Sequence, residues 1–98
     1  MAVSPFDSEI YRELLFDAEI GGHCSDAAQI GAWLRVEASL ARSQGELGII
    51  PAESAAAIVR ACAELEIEPA SLAAGTGRDG IPIPALVAKL QAALGDEH

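Results

Sequence analysis

Aromatic side chains are scarce in this sequence: two Phe, one Trp and one Tyr make up 4% of its 98 residues. Strands draw on aromatic and β-branched residues, so this shortage, beside abundant alanine, argues against a β-rich fold and for closely packed helices. Basic residues are also few, six Lys and Arg against fifteen Asp and Glu, for a formal charge of −9. A phosphate backbone or an anionic membrane surface is repelled by that balance, so neither nucleic acid nor membrane is an expected partner. Two cysteines, Cys24 and Cys62, are too few for a disulfide scaffold. A reducing compartment is the simpler setting, with both thiols serving as small apolar side chains. No apolar run approaches the ~20 residues that span a bilayer. The start of the chain, Met-Ala-Val-Ser-Pro-Phe-Asp, is neither basic nor followed by an apolar core, which argues against a secretory signal. A cytoplasmic location is therefore expected.

What the sequence does contain is 51% hydrophobic residues, ample for a folded core. Ninety-eight residues make one small domain, residues 1–98, that buries only about 60–65% of its unfolded surface. The periodicity predicts an all-α domain of about four to five helices. Asp7 or Ser8 caps a short first helix carrying Ile10, Leu14, Leu15 and Ala18, and Gly21 and Gly22 interrupt it. Ser25 and Asp26 open the longest segment, which runs to about Gly45 or Gly48. Pro51 fits the first turn of the next helix, whose apolar stripe is Ala55, Ile58, Cys62 and Leu65. Pro69 opens one further turn to Ala74. Residues 75–84 read as a loop, and a last helix turns Ile83, Leu86, Val87, Leu90 and Leu94 inward.

On the long helix, Arg35, Ser39, Arg42 and Glu46 form one polar edge, opposite Ile30, Trp33, Leu40 and Ala41. Glu37 lies in the middle of the apolar side. An ionised carboxylate there is costly unless paired or hydrogen-bonded, so the expectation is an ion pair with a basic residue of another helix or subunit, with a catalytic or ligand-binding acid as the alternative. Gln44 shares that side, consistent with packing against a partner subunit.

Gly75-Thr76-Gly77-Arg78-Asp79-Gly80 has the spacing of the dinucleotide-binding glycine fingerprint. That motif works between a strand and a helix, with pyrophosphate on the helix N-terminus. Here an alanine-rich turn precedes it and Ile81-Pro82-Ile83-Pro84 follows, so the match is coincidental and no nucleotide cofactor is expected. Arg78 in such a glycine-rich stretch can bind a carboxylate through two parallel hydrogen bonds; the other reading is a flexible connection between helices with an exposed Arg78–Asp79 pair. His23 and Cys24 are adjacent, but Cys62, His98 and scattered acids make a poor remaining ligand set for zinc, and no metal is expected. Ser4, Ser8, Ser25 and Ser71 stand where helix caps are expected, and no nucleophile–base pair stands out.

Taken in order, Phe6-Asp7-Ser8 through Asp17-Ala18-Glu19-Ile20, Ser25-Asp26, Trp33 to Ala41 and Gln44-Gly45-Glu46-Leu47-Gly48-Ile49-Ile50-Pro51-Ala52-Glu53 resemble the beginning of the fumarase/aspartase superfamily. Within it the wording is most similar to the 3-carboxy-cis,cis-muconate cycloisomerases, with adenylosuccinate lyases as the nearest competitor.

The resemblance implies a longer homo-oligomeric enzyme built on a central helical bundle. Such an enzyme acts on a small carboxylate substrate without an organic cofactor. In the cycloisomerase a substrate carboxylate adds internally to a conjugated double bond and closes a lactone during protocatechuate breakdown. The family's Thr-Ser-Gln-Asp and mobile Gly-Ser-Ser-x-Met-Pro-x-Lys-x-Asn segments are absent from these 98 residues, so the chain is expected to be an N-terminal domain without turnover of its own. Thr76-Gly77-Arg78-Asp79 falls where adenylosuccinate lyases carry a Thr-Arg-His-Asp segment that reaches the active site. Thr76 and Asp79 match it; Arg78 stands in place of the histidine, which implies carboxylate binding there instead of proton transfer. A second expectation, from a different class, is a free-standing helical interaction module that binds through apolar helix faces, Trp33 among them.

Overall fold

The computed structural model describes residues 3–95. Among them are six α-helices and no strand: α1 (Arg12–Leu15), α2 (Ala18–His23), α3 (Asp26–Glu46), α4 (Ala52–Glu64), α5 (Ala73–Asp79) and α6 (Ile83–Leu94), with a 3₁₀ turn over Pro69–Leu72. The all-α expectation holds.

Local chemistry sets the longest helix. Ser25 accepts a hydrogen bond from the Ala28 amide at 3.1 Å, satisfying one orphan donor of α3. At the other end the chain leaves through Gly48, whose φ of 74° favours glycine, and the Ile49 amide returns to the Gln44 carbonyl at 2.9 Å. Pro51 then precedes α4, so α3 and α4 fold back as a helical hairpin, the largest packing contact in the molecule. A Cβ placed on Gly45 would lie 2.5 Å from that of Ala55, so only glycine admits this closeness.

Along the hairpin, the burial is unequal. The first half of α3 and the second half of α4 join the 3₁₀ turn and α6 in the main core, where Ile30, Leu34, Cys62, Leu72, Leu86 and Leu90 are buried and Leu86 is fully enclosed. The inward stripes expected for α4 and α6 are those observed, with Ile58, Leu65, Ile83, Val87 and Leu94 half-buried beside them. Toward its tip, the hairpin buries only the small residues Ala41 and Ala55.

Four expectations change. The first helix is two: Phe16 is extended, and Asp17 starts α2 by accepting from the Ile20 amide at 3.0 Å. Gly21 and Gly22 therefore lie inside a helix instead of breaking one, because the Asp17 cap and the local backbone bonds carry it through them. Residues 75–79, expected as loop, are helical. On α3, Leu34 is buried whereas Leu40 is exposed, so the inward stripe is rotated relative to the expected one.

Residues 3–24 form an arm against the start of α3. Neither α1 nor α2 has a buried residue. The radius of gyration is 17.1 Å, with extents of 55 × 27 × 20 Å; a compact domain of 100 residues has about 13 Å.

Candidate functional site

The three singled-out residues all lie on α5. Its placement follows from Gly75, which is buried: a Cβ there would meet that of Ala85 on α6 at 2.7 Å, so α5 seats closely on α6. Gly80 ends the helix in the left-handed conformation at φ 80°, and its amide returns to the Thr76 carbonyl at 2.8 Å. The glycines thus serve helix packing and termination.

Residues on a helix are spaced about 100° apart, so Thr76 and Arg78 point in widely different directions. Thr76 is half-buried, and its hydroxyl donates to the Leu72 carbonyl at 2.7 Å. It lines a cleft of about 430 Å³ between the first turns of α3, with Asp26 and Trp33, and the segment from Pro69 to Ala73. Arg78 and Asp79 lie outside that cleft. The Arg78 Nε and Nη2 donate to the two carboxylate oxygens of Asp79 at 3.2 and 3.3 Å. This is the one ion pair among the described residues, with the arginine side chain 73% and the aspartate 30% exposed. The bond to Asp79 and its negative charge raise Arg78 above its already high ordinary value, so the guanidinium is charged at any working pH. A fork expected to hold a substrate carboxylate is in this conformation held by a neighbouring one. The structure brings Arg78 and Asp79 together and sends Thr76 elsewhere.

Glu37 is half-buried and, among the described residues, has no basic partner within ion-pair distance. The intramolecular half of the ion-pair expectation is not met. Glu37 instead faces α4, where burial first and the Glu37 charge second push the Cys62 thiol up. Both cysteines are free; Cys62 is buried as expected, but Cys24, the residue ending α2, is exposed. Among the described residues, no group of three or more His, Cys, Asp or Glu is placed to hold a metal ion, and no helix is long and apolar enough to cross a membrane. His98 lies outside the described residues. Ser4 and Ser8 accept backbone amides in the arm, but Ser71 donates to the Glu68 carbonyl and caps nothing. Asp17, the working cap of α2, was not singled out in the sequence; an aspartate three residues before an isoleucine amide carries no distinctive wording.

No protein-family model matches the chain. It is 37% identical over 90 residues to an uncharacterized protein of Schizosaccharomyces pombe, covering 92% of this chain and 20% of that protein. It is 35% identical over 91 residues to the N-acetyl-S-(2-succino)cysteine lyase of Enterococcus italicus, covering 93% of this chain and 20% of that enzyme. The lyase match supports the fumarase/aspartase superfamily. It does not single out the cycloisomerase member, and it does not favour an adenylosuccinate lyase. The chain spans about a fifth of the length of these relatives.

Proposed function

We propose that this chain is the N-terminal helical domain of a longer, homo-oligomeric fumarase/aspartase-type enzyme that breaks or makes a bond to carbon next to a carboxylate. The observation carrying this reading is the 35% identity to a lyase across 93% of the chain. An S-succinylated thiol is the first substrate class to test. In that elimination, a base takes a proton from the carbon beside one carboxylate and the sulfur leaves the neighbouring carbon, giving fumarate and the free thiol. The demands are a base for the carbon-bound proton and cationic or amide groups for the enolate charge. Intramolecular lactonisation of a carboxymuconate, which the opening sequence wording supports, is the second class: the carboxylate oxygen bonds to one alkene carbon, an acid delivers the proton to the carbon beside the other carboxylate, and the enolate charge needs the same cationic or amide groups.

In this reading Arg78 supplies positive charge for a substrate carboxylate. Its Nη1 group faces no partner among the described residues, while Asp79 competes for the rest of the fork. The test is steady-state kinetics of the full-length enzyme with both substrate classes. Arg78→Ala should raise KM by about tenfold, the loss of one charge-assisted contact. Asp79→Asn, which frees the fork, should not raise it. An unchanged KM in Arg78→Ala assigns the pair to the surface alone. The 98-residue chain by itself should turn over neither substrate; robust turnover by it would overthrow the domain reading.

A further inference from the structure

The cleft that Thr76 lines, between the first turns of α3 and the segment from Pro69 to Ala73, has no part in the role given to Arg78 above. Its volume of about 430 Å³ is that of a small-molecule pocket. Much of its wall is apolar: Ile30 and Leu72 are buried in it, and the half-buried Trp33 stands beside them. Three polar side chains, Asp26, Gln29 and Thr76, complete the lining that matters for recognition.

Their own hydrogen bonds decide what they have left to offer. The Gln29 Nε2 donates to the Cys24 carbonyl at 3.2 Å, which leaves Oε1 unpartnered. The Thr76 hydroxyl gives its proton to the Leu72 carbonyl at 2.7 Å, so its oxygen is left as an acceptor. Asp26 is exposed and has no ion-pair partner among the described residues. No basic residue lines the cleft, so its one formal charge is negative. The start of α3 sets roughly half a positive charge against that carboxylate, too little to cancel it.

Most ligand classes fit this set badly. An anion meets Asp26 and no cation. A metal ion finds no group of three His, Cys, Asp or Glu among the described residues. An apolar segment laid across the cleft takes water from the Asp26 carboxylate and returns no hydrogen bond. A primary ammonium matches every feature. Its three N–H donors equal the three acceptors in number, its charge suits both Asp26 and an indole face, and its hydrocarbon part suits Ile30 and Leu72. We propose that this cleft binds a small primary amine with an apolar body, of the arylalkylammonium class. The overall charge of −9 favours its approach at long range. Binding here and the kinetics expected of Arg78 are read separately and fail separately.

Trp33 is the only tryptophan, so its fluorescence reports on the cleft directly. Titration of the 98-residue chain with phenethylammonium chloride at neutral pH should give a saturable change. The neutral isostere 2-phenylethanol should bind at least about tenfold more weakly, the loss of one charge-assisted contact. Asp26→Asn should weaken the amine by a similar factor, with helix content by circular dichroism unchanged because Asp26 is exposed. Glu53→Gln, which removes an equal charge outside the cleft, should leave the affinity in place. A flat titration overturns the site, and so does equal binding of the alcohol or by Asp26→Asn. Calorimetry on the full-length enzyme should show the same Asp26-dependent binding. Its absence there would mean that the rest of the longer chain fills the cleft, which also overturns the site.

Discussion

Cys62 and Glu37 show how much a single pair of residues decides. Leu86 is closed off completely, but Cys62 sits at the edge of the same core, where α4 faces a half-buried carboxylate. Burial and that negative charge both disfavour the thiolate. The folded thiol therefore titrates above the unfolded one. Its contribution to stability is fully present below the ordinary thiol range and is lost as the pH rises through the folded value. Stability measured by urea should fall on going from neutral pH into the alkaline thiol range, and less so in Cys62→Ala. Thiol labelling at mildly alkaline pH checks the electrostatic part: Cys24, exposed, should react fast, Cys62 slowly, and Glu37→Gln should speed Cys62 alone. Equal Cys62 rates in the two proteins would show that the carboxylate does not act on it. The Glu37 side chain was legible in the sequence as an anomaly. Its neighbour was not, because facing side chains from two helices are set by hairpin register.

At the level of elements, a cap matters according to what its helix buries. Ser25 and Asp17 make the same kind of bond, to Ala28 and Ile20 amides. But α3 contributes Ile30, Leu34 and Ala41 to the interior, while α2 contributes nothing. Ser25→Ala should cost about 1 kcal/mol in global stability, whereas Asp17→Ala should leave the urea midpoint in place and reduce only helicity. A shift of equal size in both would mean that the arm unfolds together with the core. The same logic explains the misread glycines. Glycine costs a helix about 1 kcal/mol against alanine, which is why residues 21–22 and 75–79 read as breaks. At Gly75 the cost is offset by the close seating on Ala85, a contact no local pattern reveals. Thr76, Arg78 and Asp79 were thus found by wording, while their separation onto different faces followed only from the helix that holds them.

Over the whole molecule, the radius of gyration records an uneven division of labour: one core at the open end of the hairpin, and an arm and a hairpin tip with little of their own to hide. Deleting residues 1–16 should change stability by less than about 0.5 kcal/mol at low protein concentration, as expected where no buried group is touched. Thermal melts of the intact and shortened chains at high dilution check this, and a large loss would place hidden core contacts in the arm.

Helix content, the cap at Ser25, the stops at Gly48 and Pro51, and the inward stripes of α4 and α6 were determined by the sequence alone, because each rests on bonds or periodicity within a few residues. Tertiary structure decided the rest. Which side of α3 is covered, why α5 persists through Gly75 and which apolar residues stay uncovered all depend on neighbours distant in the chain. Their positions are fixed by packing, and packing has no local signature.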